Sequence, residues 1–262
     1  MILWLLNNFD TLTLTIVIVG GIMIVAVAGA MLVRRKFPQI SEGGHNEMIG
    51  NVLGMFGAIY GIILAFVIVA LWTQLDTANT IVASESTAAA SIVRDADGFA
   101  PAEGARVKAA VGAYVHGVVE VQWPLMHDGS PDYEATAPLV REIYAALQSY
   151  EPRNSSEQSF YDSAVGSLDD LVQQRRARIT MATQQLPLLL QTLVYGGALV
   201  LIPMTFLFGV RSKRMQALFV GSVAALIGFS LLLTLVLDRP FSGDLSVSPK
   251  PFKEGALSQF WK

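Results

Sequence analysis

The sequence has no cysteine, only three histidines, and charge on just 15% of its 262 residues, against about 25% in a typical soluble domain. Without cysteine there are no disulfides and no thiolate chemistry, and the redox compartment stays open. His45, His116 and His127 show no HExxH spacing, and neither a Walker loop nor a GxSxG elbow is present; these absences argue against an enzyme. His116 and Glu120 stand four apart on a predicted helix, but two ligands are too few for a metal site. No metal and no cofactor are expected. A basic face interleaved with aromatics is missing too, which excludes nucleic acid as a partner.

The scarcity of charge is concentrated. Leu12–Val33, Ile49–Leu75, Leu186–Val210 and Met215–Leu237 contain no Asp, Glu, Lys, Arg or His. About 20 apolar residues suffice for a helix to cross the hydrocarbon of a bilayer. Four such blocks cannot all be core helices of one small soluble domain. The chain therefore reads as a polytopic, all-α membrane protein: 1–75 carries the first two spans and 76–185 a helical water-exposed region. Two further spans occupy 186–237, and 238–262 forms a C-terminal tail. Met1–Asp10 has no Lys or Arg ahead of the first block, which is too long for a signal peptide and reads as a retained span. Proton relays need titratable groups inside the membrane; the spans offer only residues such as Asn51, Tyr60, Gln74 and Gln191, so a proton pump is not expected.

Between the second and third blocks the pattern stays helical. The second span shows no breaker and should run on past Leu75 as one long helix, with Glu85 on its polar positions. Pro101 opens a further helix as a first-turn proline, expected to end at Trp123-Pro124 because the residue before proline disfavours helix. Another is expected from about Tyr133 to Tyr150, with the helix proper starting at Pro138. A last one is expected from Ser155, where Ser155 and Gln158 have capping-box spacing.

Charge also bears on orientation. Arg34, Arg35 and Lys36 follow the first span, and Arg211, Lys213 and Arg214 lie between the third and fourth. The positive-inside rule puts these short loops inside and the large region outside, whereas Arg175, Arg176, Arg178 and Arg239 count for the opposite side. Residues 76–185 hold 15 acidic and 8 basic residues.

Within the second span Gly50, Gly54, Gly57 and Gly61 fall on one helical face. Such small residues permit close backbone approach, either to the first or third span or at a subunit interface or pore wall. About a third of a turn away lie Ile59, Ile62, Phe66 and Val69. These face lipid, or form an apolar constriction around an oligomer axis that gates ions by dewetting. Pro203 predicts a kink or hinge in the third span. Arg175, Arg176 and Arg178 either anchor in headgroups or form a positive ring at a vestibule. Asp238 and Arg239 close the fourth span, as a local turn or as a subunit contact.

Asn51, Tyr60, Ala65-Phe66, Trp72, Glu85, Tyr114, Trp123-Pro124, Met126, Arg175-Arg176, Arg178, Leu186-Pro187 and the Asp238–Gly243 run, with Val247, Pro249 and Phe252, together resemble the bestrophin-like bacterial membrane family, domain of unknown function 4239. The resemblance spans roughly residues 50 to 252, and DRPFSG is its most specific piece. Gln122 departs from it, since an acidic residue is expected before Trp123-Pro124. The resemblance is more remote to bestrophins proper, which are pentameric anion channels with a second span that rings the pore with bulky apolar residues. It implies a multi-pass protein of the bacterial inner membrane, a homo-oligomer (pentamer) working on inorganic ions, with Ile59, Ile62 and Phe66 at the neck. It also implies a cytoplasmic helical region, opposite to the short-loop charges. The reading is an oligomeric ion channel with the second span lining the pore. The alternative is a membrane sensor or scaffold whose region 76–185 binds a ligand or partner.

Overall fold

The computed structural model describes residues 2–39 and 43–262. It is all-α, with no strand among the described residues and four helices long and apolar enough to span a bilayer. The chain forms two compact units, one of residues 1–73 with 185–238 and one of residues 74–184 with 239–262. The tail thus belongs to the same unit as the helical region.

In the first unit a short helix α1 (Ile2–Asn8) precedes the spans, which are α2 (Thr11–Lys36), the first part of α3 (Asn46–Asp95), α8 (Leu188–Phe206) and α9 (Lys213–Leu237). Helix α1 was not legible as an element. It is held by Leu6, buried with Leu14, Val19, Leu232 and Val236. The tightest seam runs between α2 and α9, where Ala26, Ala30, Val220 and Ala224 form a common buried cluster. A Cβ on Gly228 would already touch the Val19 backbone at 3.4 Å. Close packing by small residues, read from the α3 glycines, is thus realised inside this unit by α2 and α9. The loop between α8 and α9 is fastened by Arg34, which donates to the Val210 carbonyl and the Gln216 side chain at 2.6 and 2.8 Å. Asn46 braces the same loop through two hydrogen bonds to Gly209. Pro203 lies inside α8, three residues before its end.

Helix α3 is 50 residues long, so the second span does continue well past Leu75. In the second unit its end is followed by α4 (Pro101–His116), α5 (Trp123–His127), α6 (Ala137–Gln148) and α7 (Ser155–Thr183). Their core gathers Ala89, Ile92, Val111, Val115, Ile143, Leu168 and Leu171, and the tail adds Phe241, Val247, Phe252 and Leu257. Pro138 sits in the first turn of α6, as its spacing predicts.

Two local expectations are corrected. The helix opened by Pro101 does not stop at Trp123-Pro124: it passes through a π-helical stretch, Gly117–Gln122, and runs to His127. Proline breaks a regular helix because its ring strikes the carbonyl four residues back; the wider π turn displaces that carbonyl. The cap of α7 is shifted by one residue. Asn154, not Ser155, accepts from the Glu157 amide at 2.9 Å, and the Glu157 carboxylate reaches back to the Arg153 amide at 2.8 Å.

Candidate functional site

The membrane part of α3 presents three different faces. Tyr60 and Leu64 are buried, and the Tyr60 hydroxyl donates to the Val194 carbonyl of α8 at 2.7 Å. The Tyr60 ring fits there because position 197 is glycine; a Cβ would stand 2.3 Å from the ring. On the second face Gly50, Gly54, Gly57 and Gly61 line an apolar groove of about 640 Å³ with Leu201, Phe208 and Phe219. A Cβ at Gly54, Gly57 or Gly61 would meet nothing within 4 Å. These three glycines do not serve close packing within the chain. On the third face Ile59, Ile62, Phe66 and Val69 are 58–70% exposed.

That third face does not end with the span. An ideal helix keeps Ile62, Phe66, Val69, Thr73, Asp76, Thr80, Ala83 and Thr87 within an arc of about 120°, and every one of them is exposed. The apolar stripe therefore becomes a hydroxyl-bearing one with a single carboxylate.

In the helical unit the site residues form a buried charge network. Glu85 and Arg178 are both fully buried, with the guanidinium Nε and Nη2 donating to the two carboxylate oxygens at 2.6 and 3.0 Å. Tyr114 donates its hydroxyl to the same carboxylate at 2.5 Å, so three helices, α3, α4 and α7, meet on one carboxylate. Arg178 also reaches Met126 Sδ at 3.3 Å and lies 5.7 Å from the Trp123 ring centre. Burial lowers the affinity of Arg178 for its proton, but the Glu85 charge outweighs this and holds the guanidinium above its ordinary pKa. Burial, with the Glu85 charge second, pushes the Tyr114 phenol well above its ordinary range. Arg178 is thus held as a cation and Tyr114 as a neutral phenol.

Arg175 is also buried. Its Nε donates to Thr136 Oγ1 at 3.0 Å, another nitrogen donates to the Tyr133 carbonyl, and the guanidinium stacks 4.2 Å from the Tyr133 ring centre. Thr136 Oγ1 donates in turn to Gln122 Oε1 at 2.9 Å, and Gln122 Nε2 donates to the Asp132 carbonyl at 2.8 Å. A carboxylate at 122 could not make that last donation, which gives the departure at Gln122 a physical reason. The basic ring read from Arg175, Arg176 and Arg178 is therefore corrected: two of the three are tied up inside the bundle, and Arg176 alone is exposed. Charge spacing on a helix does not reveal a buried partner 93 residues away, although the paired presence of Glu85 and arginines in a core-like pattern was the available signal.

Asp238 accepts from the Leu186 amide at 2.5 Å, fixing the start of the third span. Arg239 is half-buried in the other unit. His116 engages both ring nitrogens, with Glu120 at 3.0 Å and the Phe260 carbonyl at 2.9 Å. Among the described residues no three His, Cys, Asp or Glu side chains come together as a metal site.

Four helices long and apolar enough to span a bilayer, with a second, separately packed helical unit, define a multi-pass membrane protein. A bestrophin-like domain model matches residues 20–252, and the chain belongs to the bestrophin-like family. The fold is similar to solved structures of a bacterial bestrophin homologue from Klebsiella pneumoniae in two single-substitution forms. One has a TM-score of 0.70 at 16% identity over 93% of this chain and 99% of that one. The other has a TM-score of 0.62 at 15% identity over 92% and 96%. A third structure, described as that of a membrane protein, matches with a TM-score of 0.65 at 15% identity over 92% and 95%. No curated protein matches the sequence significantly.

Proposed function

We propose that the protein is a homo-oligomeric ion channel, a pentamer as in bestrophins proper, with α3 lining the pore. The observation that carries this reading is the exposed stripe of bulky apolar residues on α3, backed by a glycine face that opens into an unfilled apolar groove. Around a symmetry axis, Ile62 and Phe66 stack as successive girdles about 6 Å apart along the helix. Such a constriction resists wetting, because an ion stripped of water there gains no protein ligand. The groove beside Gly54 and Gly57 receives a bulky side chain of the neighbouring subunit, which explains why nothing within the subunit fills it. The buried network of Glu85, Tyr114 and Arg178 holds the water-exposed half of α3 in place, so that all copies of the helix present the same face. The host membrane is the bacterial inner membrane.

Particle images of the detergent-solubilised protein test the assembly. A closed ring with an axial path lined by α3 is expected. A monomer, or a dimer without a central path, refutes the reading and leaves a sensor or scaffold.

A further inference from the structure

The ion's sign is not set by an apolar girdle, which repels both signs alike. Two features of the sequence pull in opposite directions: an acidic region that gathers cations, and an arginine cluster that gathers anions. Burial separates them. Of the 8 basic residues in 76–185, Arg175 and Arg178 are inside the bundle, and Arg178 is consumed by Glu85. Among the 15 acidic residues of the same stretch, Glu85 is the one that is fully buried. The surface is left more acidic than the sequence suggests. Arg176, the exposed member, lines a groove with Ile81, and Ile81 lies about 100° round α3 from Thr80.

The stripe itself is more specific. After Phe66 and Val69 the open face of α3 continues through Thr73, Asp76, Thr80, Ala83 and Thr87. Between Glu47 and Arg94 the charged residues of α3 are Asp76 and the buried Glu85. Asp76 is thus the first charged residue of α3 beyond the apolar girdle, about 15 Å from Phe66 along the helix. Arg94 shares the face but lies about 27 Å farther on, beyond the Debye length of about 8 Å at physiological ionic strength. The hydroxyl face of α3 borders a polar groove in which Thr80, Thr87 and Ser91 are joined by another acid, Asp170 of α7.

We infer that Asp76 is the selectivity-determining residue of the path, and that its symmetric ring of carboxylates makes the channel conduct cations in preference to anions. The inference rests on the channel reading above. Carboxylate rings at a pore mouth select cations, and a cleft lined by one sign of charge enriches counter-ions about 10- to 1000-fold. Thr73 and Thr80, one turn on either side, offer hydroxyl oxygens that complement a partly dehydrated cation.

The test is the reversal potential of the purified protein in planar bilayers under a potassium chloride gradient. Wild type is expected to reverse near the potassium equilibrium potential. In Asp76→Asn the cation-over-anion permeability ratio falls by about tenfold or more, Asp76→Lys moves the reversal toward chloride, and Asp76→Glu retains the wild-type value. An anion-selective wild type, or an unchanged reversal potential in a correctly assembled Asp76→Asn protein, overturns the inference while leaving the channel reading intact. No current from wild type under any gradient defeats the channel reading, and this inference with it.

Discussion

Replacing Glu85 by glutamine removes one charge from the centre of the helical unit without changing its shape. In the native protein the carboxylate takes two hydrogen bonds from Arg178 and one from Tyr114, with all partners excluded from water. The amide of glutamine keeps one acceptor and turns its NH2 toward a donor, either the guanidinium or the phenol. Arg178 is then a buried cation without a counter-charge. Removing one member of a buried pair costs about 3–5 kcal/mol, and for domains of roughly this size each kcal/mol moves Tm by about 2–4 °C. The expected fall is about 6–20 °C, read by circular dichroism of the full chain in detergent. The triple variant Glu85→Leu, Tyr114→Phe, Arg178→Met removes charge, desolvation cost and stranded hydroxyl together, and should recover most of the loss. A shift below about 2 °C in Glu85→Gln, or a triple variant less stable than the single one, would show that the network does not hold these helices together.

Tyr114 gives a pH-dependent counterpart. Its folded pKa lies above the unfolded value near 10, so its contribution is intact below about pH 10 and is lost as pH rises through the folded value. Alkaline titration followed by phenolate absorbance should show one tyrosine that ionises only as the helical unit unfolds, and Tyr114→Phe should remove that step; early ionisation of all seven tyrosines contradicts it. Asn154→Ala deletes the α7 cap and should cost about 1 kcal/mol in thermal stability, with Ser155→Ala near neutral. Gly57→Leu fills the groove face where a Cβ meets nothing in the subunit, so the subunit should fold while the oligomer dissociates on size-exclusion chromatography; normal assembly would remove the glycine face from the interface.

The spans were legible because each is a long block without ionisable residues, and because the bilayer sets the length such a block must have. The continuous α3 was equally legible, since no proline or glycine run interrupts Ala78–Val93. What escaped depends on contacts distant in sequence. Trp123-Pro124 reads as a stop locally, but the π stretch that carries the helix through is packed from α6: a Cβ on Gly117 would stand 2.3 Å from Leu139. Arg175 and Arg178 look like surface charge because composition cannot show that Thr136, Tyr133 and Glu85 fold over them. The neck candidates were legible as a helical face, and the structure adds that the same face stays exposed through Thr73, Asp76, Thr80, Ala83 and Thr87.

The central claim is that this open face lines an ion path with Phe66 and Ile62 at its driest point. Flux from liposomes holding purified wild type and Phe66→Ala tests it most directly. Both proteins should assemble alike, wild type should conduct, and Phe66→Ala should conduct more, because a shorter side chain widens the ring and lowers the dewetting barrier. Equal flux through wild type and a correctly assembled Phe66→Ala protein would contradict the account, since a lipid-facing Phe66 affects packing and leaves conductance alone.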